Sequence, residues 1–387
     1  MPAVLIGAAG LALIGFGSLL IPSLVPAIET RFAQTDAGVG LALFVIASGY
    51  VLGSFSGGVL TERFGRRAVL STAAVVVAAG LAGQATAGTW PVFVGAALVT
   101  AVGSGAIDGG MNALVLDAHG ARASGGLNAA HLGFGIGALG APLVVGQALA
   151  RDVDWQALFG ATAVLALMFA VLLATAGMPS GRHVGEAHHS PTPQAAIFAT
   201  LPFAALAVAI ATYVSAEIGV STWLVRYLSA ASLEVATGAL GIYWAGLTLG
   251  RLVAALTGDR IPTVPFAIVA VVGSSVALVG ALAVSDMGQS VVLFGLVGFA
   301  SGPVYPLIMA VAGQRFPSRS AMVAGSLAGV AVIGAVVYPP MMGVLSESVG
   351  IRGGMLGAAV LGVVCAGAVL AASRARNGAA SRTLAGT

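Results

Sequence analysis

Twelve apolar stretches of about 20 residues follow one another along this chain, separated by short polar loops. As a helix, a stretch of that length crosses the hydrocarbon core of a bilayer, which is roughly 30 Å thick. Only 7% of the residues are charged, against about 25% in ordinary soluble domains, so the chain has too little polar surface to face water all round. The sequence therefore predicts an all-α membrane protein with twelve transmembrane helices.

The predicted spans form two groups of six. In the first half they lie near residues 4–27, 37–60, 67–88, 91–116, 124–149 and 155–177, and in the second half near 195–221, 234–257, 262–284, 289–313, 319–343 and 350–373. We expect a six-helix bundle at 1–178, a cytoplasmic linker at 179–193 and a second six-helix bundle at 194–387. The linker is rich in Pro, Gly, Ser and His, which is typical of a solvated connection, with a metal-binding histidine tract as the alternative.

The arginines predict the orientation of the spans, because loops that face the cytoplasm carry an excess of Lys and Arg. One side of the helical path holds Arg63, Arg66, Arg67, Arg122, Arg182, Arg260, Arg315, Arg319, Arg374, Arg376 and Arg382, and the other holds Arg31, Arg151, Arg226 and Arg352. Both termini are therefore expected in the cytoplasm, with the chain in a bacterial inner membrane. The net charge of +3, without a clustered basic face, argues against nucleic-acid binding.

A shift of 197 residues relates the two halves of the chain. It places Arg63 on Arg260, Gly105 on Gly302, Arg122 on Arg319, Pro142 on Pro339 and Gly146 on Gly343. Because these loop arginines and helix-breaking residues match in one register, we interpret the halves as parallel copies of a six-helix unit. Two such bundles, with a substrate site between them at mid-membrane, are typical of secondary transporters.

Polar residues in the fourth and fifth spans are the main candidates for a functional site. Asp108 and Asn112 lie one turn apart in the fourth span, and Asn128 and His131 share a face of the fifth. An ionisable group at this depth costs about 2.5–3.5 kcal/mol on insertion scales, so it marks a functional site by default. Burial favours the neutral carboxyl group, so Asp108 is predicted to carry a proton, with a structural hydrogen bond as the alternative. The other three are predicted to bind substrate, although Asn112 alternatively positions Asp108, and His131 alternatively shares its proton or packs between helices.

The second half offers a further carboxylate at membrane depth, Glu217, as the alternative proton carrier. Arg251 in the eighth span needs a charge partner, for which Glu217 or Asp108 is available, and a clamp on a substrate carboxylate is the alternative. The aromatic candidates for the substrate site are Tyr213, Trp223, Tyr243, Trp244 and Tyr305. For Trp223, near the predicted outer boundary, a place in the aromatic belt competes with stacking on a sugar ring.

The loop after the second span reads GGVLTERFGRRAVL. It resembles the loop signature of the major facilitator superfamily, in which a Gly, a Leu, an acidic residue with Arg, and then Gly-Arg with another basic residue occur in that order. The matching residues are Gly57, Leu60, Glu62, Arg63, Gly65, Arg66 and Arg67, and the second-half loop retains Gly258, Asp259 and Arg260. A carboxylate and arginines at the cytoplasmic mouth can pair with each other and with helix ends in one conformation and separate in the other, in contacts worth about 0.3–2 kcal/mol each, which predicts a gating role. A purely topogenic basic cluster is the alternative.

Within that superfamily, the fourth and fifth spans resemble the fucose permease group of proton-coupled sugar symporters. That group has a Gly-rich helix with a carboxylate four residues before an Asn, followed by a helix that runs from an Asn through Phe-Gly to Gly-Pro. The matching residues here are Asp108, Asn112, Asn128, Phe134, Gly135 and Pro142. The resemblance implies a monomeric transporter that works by alternating access.

The favoured function is therefore import of a small polar solute, a sugar or similar polyol, by proton symport. A proton-driven exporter of drugs or other amphiphilic compounds is the alternative, and the buried carboxylates disfavour a receptor without transport activity. No enzyme is expected, because the chain lacks GxSxG, HExxH and Walker motifs. The expected partners are the solute, the proton and the lipid bilayer, without a cofactor or metal.

Overall fold

The computed structural model describes residues 3–119, 123–176, 197–257, 260–317 and 320–375. All regular secondary structure in these ranges is helical. The helices are α1 (Ala3–Phe32), α2 (Asp36–Phe64), α3 (Arg66–Thr86), α4 (Trp90–His119), α5 (Ala123–Leu149), α6 (Trp155–Thr175), α7 (Leu201–Tyr227), α8 (Leu233–Thr257), α9 (Thr263–Ala283), α10 (Met287–Ser301), α11 (Val304–Arg315) and α12 (Ser320–Arg374). The linker prediction and Asp259 lie outside the described residues, as do the side chains of Glu62 and Asn128.

Within the described ranges, ten helical stretches are long and apolar enough to cross a membrane. One of them joins α10 and α11, and another covers 50 residues of α12. At 55 residues α12 is far too long for one crossing, and it is interrupted at Gly350, where φ is 70°. With α8 as a further helix of 25 residues, this arrangement fits the twelve predicted spans. The prediction of an all-α, multi-pass membrane protein is confirmed.

Contacts within the chain group the helices into two compact units. The first unit comprises α1–α6 together with Thr222–Trp244 and Pro340–Ile351, and the second comprises α7 up to Ser221, Ala245–Pro339 and the chain from Arg352 onward. In the first unit α4 is central, because α1, α2, α3 and α5 all pack against it. The domain boundaries given above stay a prediction.

Glycine contacts between helices recur at the spacing of 197 residues. At each of these glycines, a Cβ atom would collide with a backbone carbonyl oxygen of the neighbouring helix. The first-half pairs are Gly53 with Val102 and Gly105 with Tyr50, and the second-half pairs are Gly250 with Phe299 and Gly302 with Leu247. Each residue of the second set stands 197 positions after its counterpart, so α8 packs on the end of α10 through the same backbone contacts that join α2 to α4. The duplication predicted from the sequence is therefore also present in the packing.

Adding one methyl group at such a contact is expected to destabilise the first unit. Gly105→Ala would push a Cβ into the Tyr50 carbonyl oxygen, and overpacking of this kind costs about 1–3 kcal/mol. Gly95→Ala is the matched control, because a Cβ at Gly95 of the same helix meets nothing within 4 Å, and Ala is the better helix former by about 1 kcal/mol. Thermal unfolding in detergent is expected to show a lower Tm for Gly105→Ala alone; equal Tm values would contradict the close contact.

Candidate functional site

A chain of hydrogen bonds starts on α4 and reaches α5. The Asn112 side-chain Nδ2 donates to Oδ1 of Asp108 at 3.1 Å, one helical turn away. The Asn112 Oδ1 lies 3.2 Å from Nε2 of His131. Because the amide nitrogen is used on Asp108, the amide oxygen faces the imidazole, and Nε2 of His131 must carry the hydrogen. The contact of Asn112 with Asp108, one of the two roles considered for Asn112, is present, and His131 joins it from α5; substrate binding by Asn112 stays a prediction.

Tyr50 of α2 extends this chain at the carboxyl end, because its hydroxyl shares a side-chain hydrogen bond with Asp108. We did not predict Tyr50 from the sequence. Gly49 and Gly53, which flank it in the sequence, let α2 approach α4 closely at Leu98 and Val102, so they indicate a close helix contact near Tyr50 but not the group that its hydroxyl meets. We call Tyr50, Asp108, Asn112 and His131 the α4 polar cluster.

The α4 polar cluster is graded in exposure. Asp108 and Asn112 are half-buried and directly follow the fully buried Ile107 and Met111 on the same helix, whereas His131 is exposed. A carboxyl group in this apolar surrounding is a candidate to exchange a proton, since neutralisation removes the desolvation penalty of its charge. The exposed imidazole is the accessible end of the chain. Asn128, predicted to act beside His131, lies outside the described side chains.

The second unit contains a charge pair. Nη2 of Arg251 on α8 lies 3.7 Å from Oε1 of Glu217 on α7, with 41% of the Arg251 side chain and 9% of the Glu217 side chain exposed. Arg251 also donates from Nε to the carbonyl oxygen of Gly302 at 3.2 Å. Of the two partners considered from the sequence, Glu217 is thus the one that Arg251 contacts.

The break between α10 and α11 explains why the side chains of Arg251 and Tyr213 both donate to backbone carbonyl groups at this point. Pro306, four residues after Gly302, has no N–H to donate, so the Gly302 carbonyl lacks its helical partner. Nε of Arg251 supplies the missing donor. The hydroxyl of Tyr213 donates to the carbonyl oxygen of the preceding residue, Ser301, at 2.8 Å. Tyr213 is therefore engaged with the backbone at the helix break, and a contact of its hydroxyl with substrate stays a prediction.

The remaining aromatic candidates are mostly buried. Trp223 has no exposed surface and stands close to Gly343, where a Cβ would lie 2.8 Å from its ring. The aromatic-belt alternative for Trp223 is therefore wrong, because a belt residue meets the lipid headgroups. Trp244 is buried against Phe134, with ring centroids 6.0 Å apart, and Tyr243 is fully buried beside it.

Tyr305 is half-buried at the start of α11 and lies within electrostatic range of the Glu217 and Arg251 pair. It is the aromatic candidate of the second unit that stands beside charged groups. Its position also corresponds to Asp108 at the spacing of 197 residues. Its predicted contact with substrate stays a prediction.

The signature loop between α2 and α3 is a single residue, Gly65, with φ of 81° and ψ of 148°. Its N–H caps α2 by donating to the Thr61 carbonyl at 3.0 Å. This conformation is readily available to glycine alone, which explains why Gly stands there. The arginines differ in burial: Arg66 is buried, whereas Arg63, Arg67 and Arg260 are exposed. Gly57 is buried against Ala106 of α4, and the gating role of these residues stays a prediction.

Two stretches of the chain, residues 6–239 and 194–385, match the family model described as Major Facilitator Superfamily. An uncharacterised MFS-type transporter of Yersinia pestis is 27% identical over 344 residues, which cover 83% of this chain and 85% of that protein.

Several solved structures share the fold. A bacterial homologue of the human lysosomal transporter Spinster, inward-facing and unoccupied, superposes with a TM-score of 0.78 at 15% identity over 96% of both chains. The D-xylose-proton symporter gives a TM-score of 0.76 at 17% identity over 96% of both chains. The inward-open xylose transporter XylE from E. coli gives 0.73 at 17% identity over 94% of both chains.

Proposed function

Because this chain belongs to the major facilitator superfamily of membrane transporters, we propose that it carries a small polar solute, a sugar or similar polyol, across the membrane together with a proton. The observation that carries this proposal is the α4 polar cluster. An ionisable carboxyl group inside an apolar bundle, hydrogen-bonded to Asn112 on its own helix and to Tyr50 on α2, is a costly arrangement that a purely structural helix contact does not need.

In this proposal Asp108 binds and releases the transported proton. With the proton bound, the site has lost one negative charge, which favours the conformations in which the carboxyl group is shielded from water. Tyr50 and Asn112 hold the carboxyl group in both protonation states, because a hydroxyl donates or accepts and an amide offers both kinds of group. Release on the other side of the membrane restores the charge and returns the transporter by alternating access.

The same side chains suit a polyol. A sugar hydroxyl is both a donor and an acceptor, and at the exposed end of the α4 polar cluster Asn112 offers its amide group and His131 offers its second ring nitrogen, Nδ1, which accepts when Nε2 carries the hydrogen. Asn128 is proposed to contribute from the same face of α5. The xylose symporter shares the fold, and the resemblance of α4 and α5 to the fucose permease group supports a sugar over an amphiphilic drug. Import into a bacterial cell through its inner membrane, with both termini cytoplasmic and a monomeric chain, completes the proposal.

The test is uptake into proteoliposomes under an imposed proton gradient. Labelled D-xylose, L-fucose and other pentoses and hexoses are offered to the purified protein, with liposomes that lack the protein and a protonophore as controls. Gradient-dependent accumulation of a sugar is the expected result. If no sugar accumulates, and a lipophilic cation instead raises the Tm of the purified protein, the symport proposal is wrong and a proton-driven exporter takes its place.

A further inference from the structure

A second cluster of polar side chains lies in the first unit, at the end of the helices that the arginine pattern places outside the cell. Glu29 near the end of α1 and Asp36 at the start of α2 contact Arg226 at the end of α7. Nε of Arg226 lies 2.9 Å from Oε2 of Glu29 and 2.7 Å from Oδ1 of Asp36. The Ser346 hydroxyl of α12 is 2.7 Å from Oδ2 of Asp36. We call these four residues the outer acidic cluster.

The charges of the outer acidic cluster do not balance. Two carboxylates face one guanidinium, and only 13% of the Glu29 and 11% of the Asp36 side chain is exposed. In addition, Oε1 of Glu29 is buried without a hydrogen-bond donor among the described residues. A buried carboxylate without full compensation is strongly destabilising, so a closed cluster with two ionised acids would be unfavourable.

The hydrogens do not balance either. Arg226 Nε has one hydrogen, yet it contacts an oxygen of both acids. The Ser346 hydroxyl also has one hydrogen, yet it lies 2.7 Å from both Asp36 Oδ2 and the Gly343 carbonyl oxygen. The carboxyl groups of Glu29 and Asp36 are themselves within hydrogen-bonding contact of each other, and two ionised carboxylates have no hydrogen to share. One additional proton on the acid pair supplies the missing donor and removes the surplus charge.

Among the described ion pairs, Arg226 of α7 is the cation that contacts Glu29 and Asp36. α12 contributes the Ser346 hydroxyl, which is neutral, and Arg151 at the end of α5, which packs along α1, is bonded to Gln147. On α1, the guanidinium of Arg31 lies over the Phe32 ring, 5.6 Å from its centroid. Glu347, next to Ser346, is exposed and adds negative rather than positive charge nearby.

We propose that Glu29 and Asp36 form a proton-binding site that is filled when Arg226 and Ser346 close over it. With α7 and α12 withdrawn, water solvates both carboxylates and both are ionised. When the helices close, water leaves, Arg226 compensates one charge, and a proton compensates the other. Closure of this end is thereby coupled to the uptake of one proton at a site separate from Asp108. The proton site stands on the cluster alone; its place in a transport cycle rests on the function proposed above.

The test measures closure directly, without substrate. Cysteines replace the exposed residues Thr30 on α1 and Ala230 after α7, in a Cys365→Ala background that removes the chain's single native cysteine. Spin labels at these two sites report the distance between the helix ends in liposomes. Between pH of about 8 and 5 the ratio of closed to open protein is expected to rise with acidification, by at most about tenfold per pH unit, which is the limit for one coupled proton.

Glu29→Gln separates a proton site from a plain ion pair. The Gln amide is neutral at every pH and can donate to Asp36, so this variant is expected to be closed throughout and to lose the pH dependence. Glu347→Gln, the same change at an exposed residue, is the matched control and is expected to keep the dependence. Glu29→Asp, which retains an ionisable group, is expected to keep it also and guards against a folding defect in Glu29→Gln.

Two results would overturn the proposal. One is a distance distribution in the parent protein that does not change with pH, since no proton is then linked to closure. The other is a pH dependence that survives in Glu29→Gln, since the proton is then bound elsewhere. Neither result depends on which solute is carried, so failure of the sugar-uptake experiment leaves this test intact.

Discussion

Asp108→Asn is expected to abolish proton-driven accumulation of the solute while leaving exchange of solute across the membrane. Asn has nearly the same shape as Asp, and it can still meet the Tyr50 hydroxyl and the Asn112 amide, so the α4 polar cluster keeps its packing. It cannot bind a proton, so movement of the solute is no longer coupled to movement of a proton down its gradient. In proteoliposomes, uptake against a concentration gradient should fall to the level of protein-free liposomes, whereas counterflow of labelled against unlabelled solute should persist.

The control for this variant is the same chemical change at a structural position. Asp286 caps α10 by accepting from the Gln289 N–H at 2.8 Å, and Asn is an equally good N-cap, so Asp286→Asn should transport normally. Full accumulation by Asp108→Asn would show that Asp108 is a structural hydrogen-bonding residue. Glu217 would then be the remaining carboxylate at membrane depth to test as the proton carrier.

Arg251→Ala is expected to give the second large effect, because it creates two defects at once. Glu217 is left buried without its cation, and the Gly302 carbonyl loses the hydrogen-bond donor that Arg251 supplies to it. Since Arg251 is 41% exposed, solvent screening reduces the loss, and we expect about 1–3 kcal/mol of stability. A decrease in Tm in detergent, together with a loss of transport, is the measurement.

The double variant Glu217→Gln with Arg251→Ala tells the two defects apart. It removes the buried charge of Glu217 but leaves the Gly302 carbonyl without its donor. Its Tm is therefore expected to lie between that of Arg251→Ala and that of the parent protein. Arg352→Ala, at an exposed arginine, is the control and should stay within about 0.5 kcal/mol of the parent. A double variant as unstable as Arg251→Ala alone would mean that the ion pair contributes nothing.

Local patterns in the sequence were sufficient to predict the helices, the duplication and the contact of Asp108 with Asn112. Run length and low charge predict the helices because a bilayer admits helical spans of a narrow range of lengths. The duplication is readable because a close helix contact demands glycine at both copies, as at Gly105 and Gly302. The link between Asp108 and Asn112 follows from the helical repeat alone, since residues four apart share a face.

Contacts between different helices were harder to predict from the sequence. Two partners were open for Arg251, and the choice of Glu217 depends on where the α10–α11 break places an unpaired carbonyl. Tyr50 was missed because a tyrosine in an apolar span has no local signature that separates packing from hydrogen bonding. For Trp223, its position in the span leaves the aromatic belt and a substrate contact as alternatives, whereas its complete burial excludes the belt.

The sequence by itself therefore determined the class of the protein, its helices, its repeat and the polar residues that are costly in a membrane, because each of these depends on spacing along one chain segment. Only the tertiary structure decided which of those residues meet. Tyr50 and Asp108, or Glu29 and Asp36 with Arg226, belong to different helices, and their contacts depend on how deeply and at what rotation each helix packs. Those quantities are set by side-chain packing over the whole bundle, which no single segment of the sequence contains.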